Sequence, residues 1–388
     1  MRKTNEELEQ IKKDLGVSRL WSWSRLEKYI DDTYGYMLKY ILHIDEDRND
    51  SIYAISGTIA HESMENFYKD NLTNQEMFDL YEDKLFEFNT MGLLYDRSDK
   101  DKNEKIAKKY EDCMRHYFLN HKKMTNKPII EPFILIKIGD YYFQGYIDMI
   151  NIETRDKKKK IIITDFKTSS IYTGKKLIEK SGQLLLYGEG IHQKSNTPYE
   201  DIVLRFNFMK YVNVTYTQKK GDKKVRQIER NAIGKKLQSN TKTWLKHFGY
   251  SEEEIENYLQ QMINTNGIEC LPKEVQDTFE IDDCYIETEI NEEIISNHKN
   301  NIIKTIEEIL EKENEFKETK DKNLFWKDVT KEDSYYYANL SGYSANLHMP
   351  YKRYLEEFEN QSKQDDLLGV LDNKKDSLDL DWLDEILN

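Results

Sequence analysis

Two acidic residues and a lysine lie near the ends of neighbouring predicted strands. Asp165 and Lys167 are two positions apart in the apolar stretch IIITDFKT, so their side chains leave the same face of a strand. Asp148 lies near the end of the preceding predicted strand, and an antiparallel hairpin can bring it beside Asp165. Two carboxylates this close repel each other unless a divalent cation lies between them, and oxygen ligands favour Mg²⁺ or Mn²⁺ over zinc. An isolated D-x-K pair, by contrast, is more often a plain ion pair at a strand end.

Further residues could complete such a centre. A lysine beside the metal can orient or activate an attacking water and stabilise the charge that builds on a phosphate. Gly145 would let a phosphate backbone approach closely. His61, far upstream on a predicted helix, is a candidate, although a lone histidine is usually structural. Gln183 and Tyr187 share one helix face at i and i+4, and on their own they are ordinary helix residues.

Hydrophobic spacing predicts the elements that position these residues. Helices are predicted over 4–16, 21–41, 56–70, 74–90, 101–121 and 174–192. Strands are predicted within 131–152, with a Gly-Asp turn, and then over 161–168 and 201–214, with a turn at 155–160. A long hairpin over 211–231 turns at Gly221-Asp222, and 232–265 and 291–318 are predicted to be helical. A helical lead-in followed by a β-β-β-α-β unit implies a mixed α/β (α+β) fold with a mixed central sheet flanked by helices.

The same pattern predicts five parts of the chain. These are an N-terminal helix (1–20), a core (21–210), a hairpin and helical elaboration (211–320), a C-terminal aromatic segment that packs on the core (321–361) and an acidic flexible tail (362–388).

Four motifs occur in a recognisable order: GTIAH (57–61), GYID (145–148), DFKT (165–168) and QLLLY (183–187). Together they resemble the RecB-like branch of the PD-(D/E)XK nuclease superfamily, which includes the RecB and AddB nuclease domains and the CRISPR-associated RecB-like exonucleases. The resemblance covers roughly residues 20–210 and implies a restriction-endonuclease-like core.

The resemblance also implies a role for each motif residue. Asp148 and Asp165 would bind the metal together with the backbone carbonyl of Phe166, and Lys167 would be the catalytic lysine. His61 would contact a metal or the scissile phosphate, and Gln183 and Tyr187 would orient the lysine and the DNA strand. Glu131 lies where relatives often have an acidic residue, but we expect it to be a solvated strand end.

One feature of the branch is missing from the sequence. Many members carry an iron–sulfur cluster held by four cysteines, and Asp32 in SRLEKYIDDTYGY takes the position of the first. The C-terminal counterpart, SYYYANLSGY (334–343), contains no cysteine. We therefore expect no iron–sulfur cluster and, in its place, aromatic packing between the two ends. The chain has no GxxxxGK[ST] phosphate loop, so a free-standing nuclease is expected.

These features predict a Mg²⁺- or Mn²⁺-dependent exonuclease that acts on DNA ends or single strands, in DNA recombination, repair or replication. The alternative is a DNA-binding scaffold of a recombination or replication complex with a weak or vestigial site. RNA or a branched junction is a third possible substrate.

Charge and composition limit the partners. The net charge of −14 argues against coating nucleic acid by bulk attraction, but it leaves room for a local basic channel. Candidate phosphate contacts are Lys175, Lys176 and Lys180, and also Lys223, Lys224 and Arg226 in a hairpin that could equally be a solvated surface. The acidic and apolar stretch 378–388 could dock on a protein partner, occupy a basic DNA channel and so inhibit the protein, or be a solubilising tail. With three scattered cysteines and no apolar run long enough to span a bilayer, we expect a cytoplasmic protein of a bacterial or phage-infected cell, with no membrane partner.

Overall fold

A mixed sheet with helices on both faces forms the centre of the computed structural model, which describes residues 2–49, 51–69, 72–97, 99–218 and 220–367. Its strands are β1 (Ile129–Ile130), β2 (Phe133–Ile138), β3 (Tyr141–Tyr146), β4 (Met149–Arg155), β5 (Lys158–Lys167), β6 (Ile202–Thr217), β7 (Lys223–Glu229) and β8 (Phe279–Thr288). The central sheet has six strands in the order β1-β4-β5-β6-β7, with β8 also paired to β6. β2 and β3 form a separate hairpin. This confirms the predicted fold class.

Helices make up most of the remaining structure. They are α1 (Asn5–Leu15), α2 (Trp23–Asp31), α3 (Thr33–Tyr36), α4 (Ile52–Lys69), α5 (Asn74–Thr90), α6 (Lys100–Asn120), α7 (Gly174–Lys180), α8 (Gly182–Ser195), α9 (Ile233–His247), α10 (Glu252–Thr265), α11 (Lys273–Gln276), α12 (Glu292–Thr319) and α13 (Met349–Leu367). Two π-helical turns occur at Met37–Ile41 and Tyr336–Leu340. Within the described residues, no helix has both the length and the apolar character that crossing a bilayer requires.

Strand direction changes at β5, and this makes the sheet mixed. β4 and β5 pair antiparallel through a tight turn at Asp156 and Lys157, both of which have a positive φ. β5 and β6 pair parallel, so the chain must cross over between them, and it does so through α7 and α8. The register places Met149 opposite Thr164, so Asp148 arrives next to Asp165.

Both faces of the sheet are buried. One face packs with α8, α12 and the β2–β3 hairpin around Ile163, Phe206 and Phe208. The other face contributes Phe166 and Met209 to a core with α4, α5 and α6. A third core lies under α9 and α10 at the far end of β6. Since the apolar residues of β5 and β6 face both layers, the near-continuous apolar sequence of these strands is explained.

Several predicted elements are confirmed and others are wrong in a specific way. The capped helix ending at Gly16, the helices at 74–90, 101–121 and 291–318, and the hairpin turning at Gly221 are present. The predicted helix over 21–41 breaks at Asp32, whose φ of −146° is not helical. The helix predicted to open at Ser56 begins at Ile52, and the one predicted over 174–192 is two helices.

The strand that carries Asp148 also differs from the prediction. The sequence predicts one strand from the Gly-Asp turn to Ile152, but this strand is interrupted after Tyr146, and its two parts belong to different sheets. Farther along, β8 lies in a segment that had no clear prediction and pairs with β6 in the central sheet. The tail segment 378–388 and most of the predicted acidic tail lie outside the described residues.

Candidate active site

Asp148 lies in the short break between β3 and β4. Its backbone carbonyl accepts a hydrogen bond from the Glu131 N–H at 3.1 Å, and its side-chain Oδ2 accepts one from the Phe166 N–H at 2.8 Å. The side chain is 7% exposed. The break therefore turns the Asp148 carboxylate toward the end of β5 and fixes it there.

Asp165 and Lys167 leave the same face of β5, as predicted. The Lys167 Nζ lies 2.6 Å from Asp165 Oδ2, and the Asp165 residue is 3% exposed. In the parallel pairing with β6, these two residues lie opposite Phe206 and Phe208. Because the residues opposite them are apolar, the Asp165 carboxylate and the Lys167 ammonium pair with each other on that face.

His61 reaches the same point from α4. Its Nδ1 lies 3.4 Å from Asp148 Oδ1, and its Nε2 lies 3.2 Å from the backbone carbonyl oxygen of Phe166. The ring also packs edge-on against the Phe166 ring, with centroids 6.0 Å apart. The structure thus brings together His61, Asp148, Asp165 and Lys167, which lie up to about a hundred residues apart in sequence.

Burial and mutual charge set the protonation of this group. Burial raises the pKa of Asp165 to about 6, and the neighbouring Asp148 charge adds to the effect while Lys167 opposes it. Burial also disfavours a charged Asp148, but His61 and Lys167 hold its pKa below the ordinary value. Burial alone would lower the pKa of His61, yet the Asp148 carboxylate raises it to about 9. The carboxylates likewise hold the pKa of Lys167 above its usual value despite burial. A cation that binds here therefore competes with protons.

Glu131 corrects the expectation of a solvated strand end. It is 9% exposed, and its carboxylate belongs to a group with His61 and Asp148 in which the possible ligand atoms all lie within 4.8 Å of one another. Burial and the Asp148 charge raise the pKa of Glu131. Its backbone has φ of +53°, an uncommon conformation for a glutamate, because the chain turns sharply there to meet Asp148. The only sequence signal was its acidic type at the start of a strand.

Gln183 and Tyr187 lie on α8 and are hydrogen-bonded to each other, Gln183 Nε2 to Tyr187 Oη at 3.1 Å. Within the described part of the chain, neither side chain accepts a hydrogen bond from the Lys167 ammonium. Burial raises the pKa of Tyr187 to about 12, with smaller contributions from the Asp148 and Asp165 charges, so the hydroxyl lies in the field of the site. The two side chains border the centre rather than join its ion pairs.

Gly145 lies against the Tyr187 ring of α8. A Cβ at this position would lie 2.7 Å from Cε1 of the Tyr187 ring, which is closer than real Cβ atoms approach. The glycine therefore makes room for Tyr187. The expected approach of a phosphate backbone to Gly145 stays a prediction.

The six predicted DNA-contacting residues lie in two places. Lys175 is paired with Glu179, Lys176 lies 5.8 Å from the Tyr172 ring centroid, and Lys180 is paired with Glu27 and Asp31. Lys223, Lys224 and Arg226 are exposed on β7. A phosphate at Lys180 would have to compete with two carboxylates, whereas Arg226 lines an open cleft with Lys235, Lys236 and Lys242.

Asp32 and the aromatic C-terminal segment do meet, around a buried polar contact that the sequence analysis missed. Asp32 is 1% exposed and accepts hydrogen bonds from His348 Nε2 at 2.9 Å and Lys28 Nζ at 2.8 Å. The His348 ring lies between Tyr34 and Tyr337, with ring centroids 5.1 and 4.7 Å away. Aromatic packing thus joins the two ends of the chain with an ion pair at its centre.

A mixed α/β sheet with paired carboxylates and a lysine at the end of a central strand defines a class of metal-dependent nucleases. A family model of the PD-(D/E)XK nuclease superfamily matches residues 20–284. The match spans more than half of the chain, and the protein therefore belongs to this superfamily. Membership implies metal-dependent nuclease activity. No curated protein matches the chain.

Proposed function

We propose that the protein is a Mg²⁺- or Mn²⁺-dependent exodeoxyribonuclease of the RecB-like branch that acts on DNA ends or single strands. The observation that carries this proposal is the meeting of His61, Asp148, Asp165 and Lys167 at one point, with contacts of 3.4 and 2.6 Å between them. A plain ion pair at a strand end would need only Asp165 and Lys167. That simpler interpretation does not explain why Asp148 and His61 lie at the same point.

The donor set fits a hard divalent cation. Two buried carboxylates, Asp148 and Asp165, and the Phe166 carbonyl would supply oxygen ligands. Glu131, which lies within 4.8 Å of Asp148 and His61 in one group of candidate ligand atoms, would supply another directly or through water. Glu131 and Asp148 lie in one group, and the Asp148 charge also acts on Asp165, so these carboxylates are costly without compensating positive charge. When bound, a divalent cation activates water and neutralises charge on the phosphate.

The chain's own residues would prepare the substrate. Lys167 can donate to a phosphate oxygen while Asp165 holds its ammonium in place. His61 bridges Asp148 and the Phe166 carbonyl, so it keeps two of the ligands at a fixed separation. The Gln183–Tyr187 pair would contact the DNA strand on the side of α8 and so restrict its position.

Cleavage of end-labelled DNA tests the proposal. Linear single-stranded and duplex DNA and a closed circle are incubated with the purified protein in Mg²⁺, in Mn²⁺ or in EDTA. We expect loss of label from linear DNA, an intact circle and no cleavage in EDTA. Lys167→Met and Asp165→Asn should lower the rate at least about 100-fold. The first removes the positive charge that would face the reacting phosphate, and the second removes the charge of a proposed metal ligand.

Matched controls come from the same region. Lys159→Met alters an exposed lysine at the start of β5, and Asp156→Asn alters an aspartate in the β4–β5 turn. Both should cleave like the original chain. Cleavage of the circle would mark an endonuclease, and no cleavage of any substrate in either metal would favour the scaffold alternative.

The setting and partners belong to the same proposal. DNA is the partner that the family implies, and we propose that segment 378–388 docks on a second protein. The three cysteines are free thiols, which is consistent with the cytoplasmic setting that we also propose.

A further inference from the structure

A pocket of about 450 Å³ lies beside the candidate active site, where the chain leaves β5. Thr168, Ser169 and Ser170, which directly follow Lys167, form part of its lining. α4 forms another part through Ala54. Ala54 and His61 are two helical turns apart on one face, about 10 Å along the axis, or about three nucleotides at the rise of a duplex strand. The pocket is therefore within a few nucleotides of the catalytic centre.

The walls of this pocket are mainly aromatic and aliphatic. Tyr53, Tyr110 and Tyr335 line it together with Ile106 and Leu340. The rings of Tyr53 and Tyr110 meet edge to face, with centroids 5.8 Å apart and an interplanar angle of 80°, so they do not stack on each other. Tyr110 is 2% exposed and lies at the back of the pocket, whereas Tyr53 and Tyr335 are half-buried. A partly exposed ring suits an unpaired base, because every base has a π-face on which a ring can stack.

Lys210 in the pocket makes no ion pair with the residues that the structure describes. Among the residues that the structure describes, no carboxylate lies within ion-pair distance of Lys210, whose Nζ lies 5.1 Å from the Tyr110 ring centroid. Burial lowers the pKa of Lys210. Lys109 nearby differs, since it pairs with Glu229 at 2.8 Å. Glu229 also lines the pocket, and its charge favours the Lys210 ammonium, but its carboxylate pairs with Lys109. A half-buried ammonium that makes no ion pair of its own is stabilised when an anion from outside pairs with it, and a phosphate would do so.

We propose that this tyrosine pocket (Tyr53, Tyr110 and Tyr335, with Lys210) receives one unpaired base of the DNA strand whose scissile phosphate lies at the Asp148–Asp165–Lys167 centre. Lys210 pairs with a phosphate of that nucleotide. The proposal rests on the proposed nuclease function and deepens it: a base can enter the pocket only from a single strand or a frayed end. Paired bases in an intact duplex end are excluded.

An abasic scan tests the pocket without any change to the protein. Fluorescent single-stranded oligonucleotides, each lacking the base at one position, are bound to the protein with Ca²⁺ in place of Mg²⁺, and the Kd is read from fluorescence anisotropy. We expect one position to raise the Kd by about fivefold or more, the effect of losing one base-stacking contact. Equal Kd values at every position, or no binding at all, would overturn the proposal.

Variants identify the pocket as the cause. Tyr335→Leu should weaken binding of the intact strand and remove the difference between it and the critical abasic strand, while Tyr335→Phe, which keeps the ring, should preserve that difference. Lys210→Met should weaken binding of both strands equally. Lys108→Met, at an exposed position of α6, should change neither. Persistence of the abasic effect in Tyr335→Leu would contradict the assignment.

Cleavage of the same oligonucleotides in Mg²⁺ separates the two proposals. Cleavage without any abasic effect leaves the nuclease proposal intact and removes the pocket. An abasic effect without cleavage keeps the pocket and removes the nuclease.

Discussion

His61 contacts two of the predicted metal ligands, the Asp148 carboxylate and the Phe166 carbonyl. Its Nδ1 faces Asp148 at 3.4 Å and its Nε2 faces the Phe166 carbonyl at 3.2 Å. A ring with both nitrogens toward oxygen atoms is stabilised in its doubly protonated form, which agrees with a pKa raised to about 9. The Asp148 carboxylate thus favours the imidazolium form of His61, and a cation that binds beside it would oppose that form.

Glu131 should contribute to metal affinity at this site. Its carboxylate lies in one group with His61 and Asp148, and its other ionic contact, to Arg2 at 3.5 Å, involves a side chain that is 73% exposed. We expect Glu131→Gln to raise the Mg²⁺ concentration for half-maximal cleavage by about tenfold, as loss of a supporting ligand commonly does. Titration calorimetry with Mn²⁺ should show the same weakening.

The control for this prediction is a glutamate outside the centre. Glu62 follows His61 on α4 but is exposed, so Glu62→Gln should leave the metal dependence unchanged. An identical metal dependence for Glu131→Gln and the original chain would place Glu131 outside the metal site.

Residue types and spacing found part of this centre. Asp165 and Lys167 could be placed on one face from their two-residue spacing, because a strand alternates its side chains. His61 depended on a family resemblance, since no local pattern says which distant helix packs on a strand end. Glu131 was misjudged because its burial arises from a break in a strand that the apolar pattern does not mark.

At the scale of elements, two distant parts of the chain are fastened through Asp32. Asp32 follows the end of α2, and its side chain caps α3 by accepting a hydrogen bond from the Gly35 N–H. The same side chain accepts a hydrogen bond from His348, just before α13. Tyr343 adds a second link by donating to the Ile44 carbonyl at 2.8 Å. Burial disfavours the charged carboxylate, yet His348 and Lys28 hold the pKa of Asp32 well below its ordinary value. The link therefore depends on a charge held inside the protein.

Breaking this link should destabilise the protein strongly. Asp32→Ala leaves Lys28 and His348 without their buried partner, which costs about 3–5 kcal/mol in comparable cases. The free energy of unfolding from urea titration measures the loss, and limited proteolysis should cut near α13 first. Asp31→Ala is the matched control: Asp31 is exposed and pairs with Lys180 on the surface, so its loss should cost less than about 1 kcal/mol. Equal stability of the two variants would show that the link is not structural.

Elements with strong local signals were predicted well, and those set by tertiary contacts were not. α1 has a capping box and a glycine in the left-handed region at its end, both visible in sequence. β8, in contrast, reads FEIDDCYIET, with acidic residues that obscure a strand pattern. Its place in the sheet comes from pairing with β6 and from Asp283, whose charge is satisfied by residues of other elements. The spacing of residues in the sequence does not predict which distant elements pair with β8.

At the scale of the whole molecule, one buried polar network joins the helical layer to the sheet. Asp283 on β8 binds His121 Nδ1 at 2.7 Å and also pairs with Arg230, which follows β7. His121, at the end of α6, is hydrogen-bonded through Nε2 to the Tyr68 hydroxyl of α4 at 2.9 Å. Arg230 also donates to the Met209 carbonyl of β6. Four elements thus depend on one carboxylate.

The stability of the whole fold should therefore depend on pH through Asp283. Burial disfavours its charge, but His121 and Arg230 lower its pKa to about 2, below the ordinary value of 3.8. A carboxylate with a lowered folded-state pKa stabilises the protein above the unfolded-state value, and this stabilisation is lost as pH falls toward the folded-state value. The difference between the folded-state and unfolded-state pKa of Asp283 corresponds to roughly 2 kcal/mol of stability. This contribution is fully present above about pH 5 and mostly lost near pH 2.

Asp283→Asn isolates this contribution because the amide keeps the shape but cannot ionise. Urea unfolding at a series of pH values should show that the original chain is more stable than Asp283→Asn at about pH 7. This difference in the free energy of unfolding, the stability gap, should narrow by roughly 2 kcal/mol as the pH falls from about 5 to 2. Asp282→Asn is the control, since Asp282 pairs with Lys122 at the surface and should give a gap near zero at every pH. A gap for Asp283→Asn that does not change with pH would mean that the network acts through shape and hydrogen bonds alone. A narrowing gap would show that the charge of Asp283 holds the helical layer on the sheet.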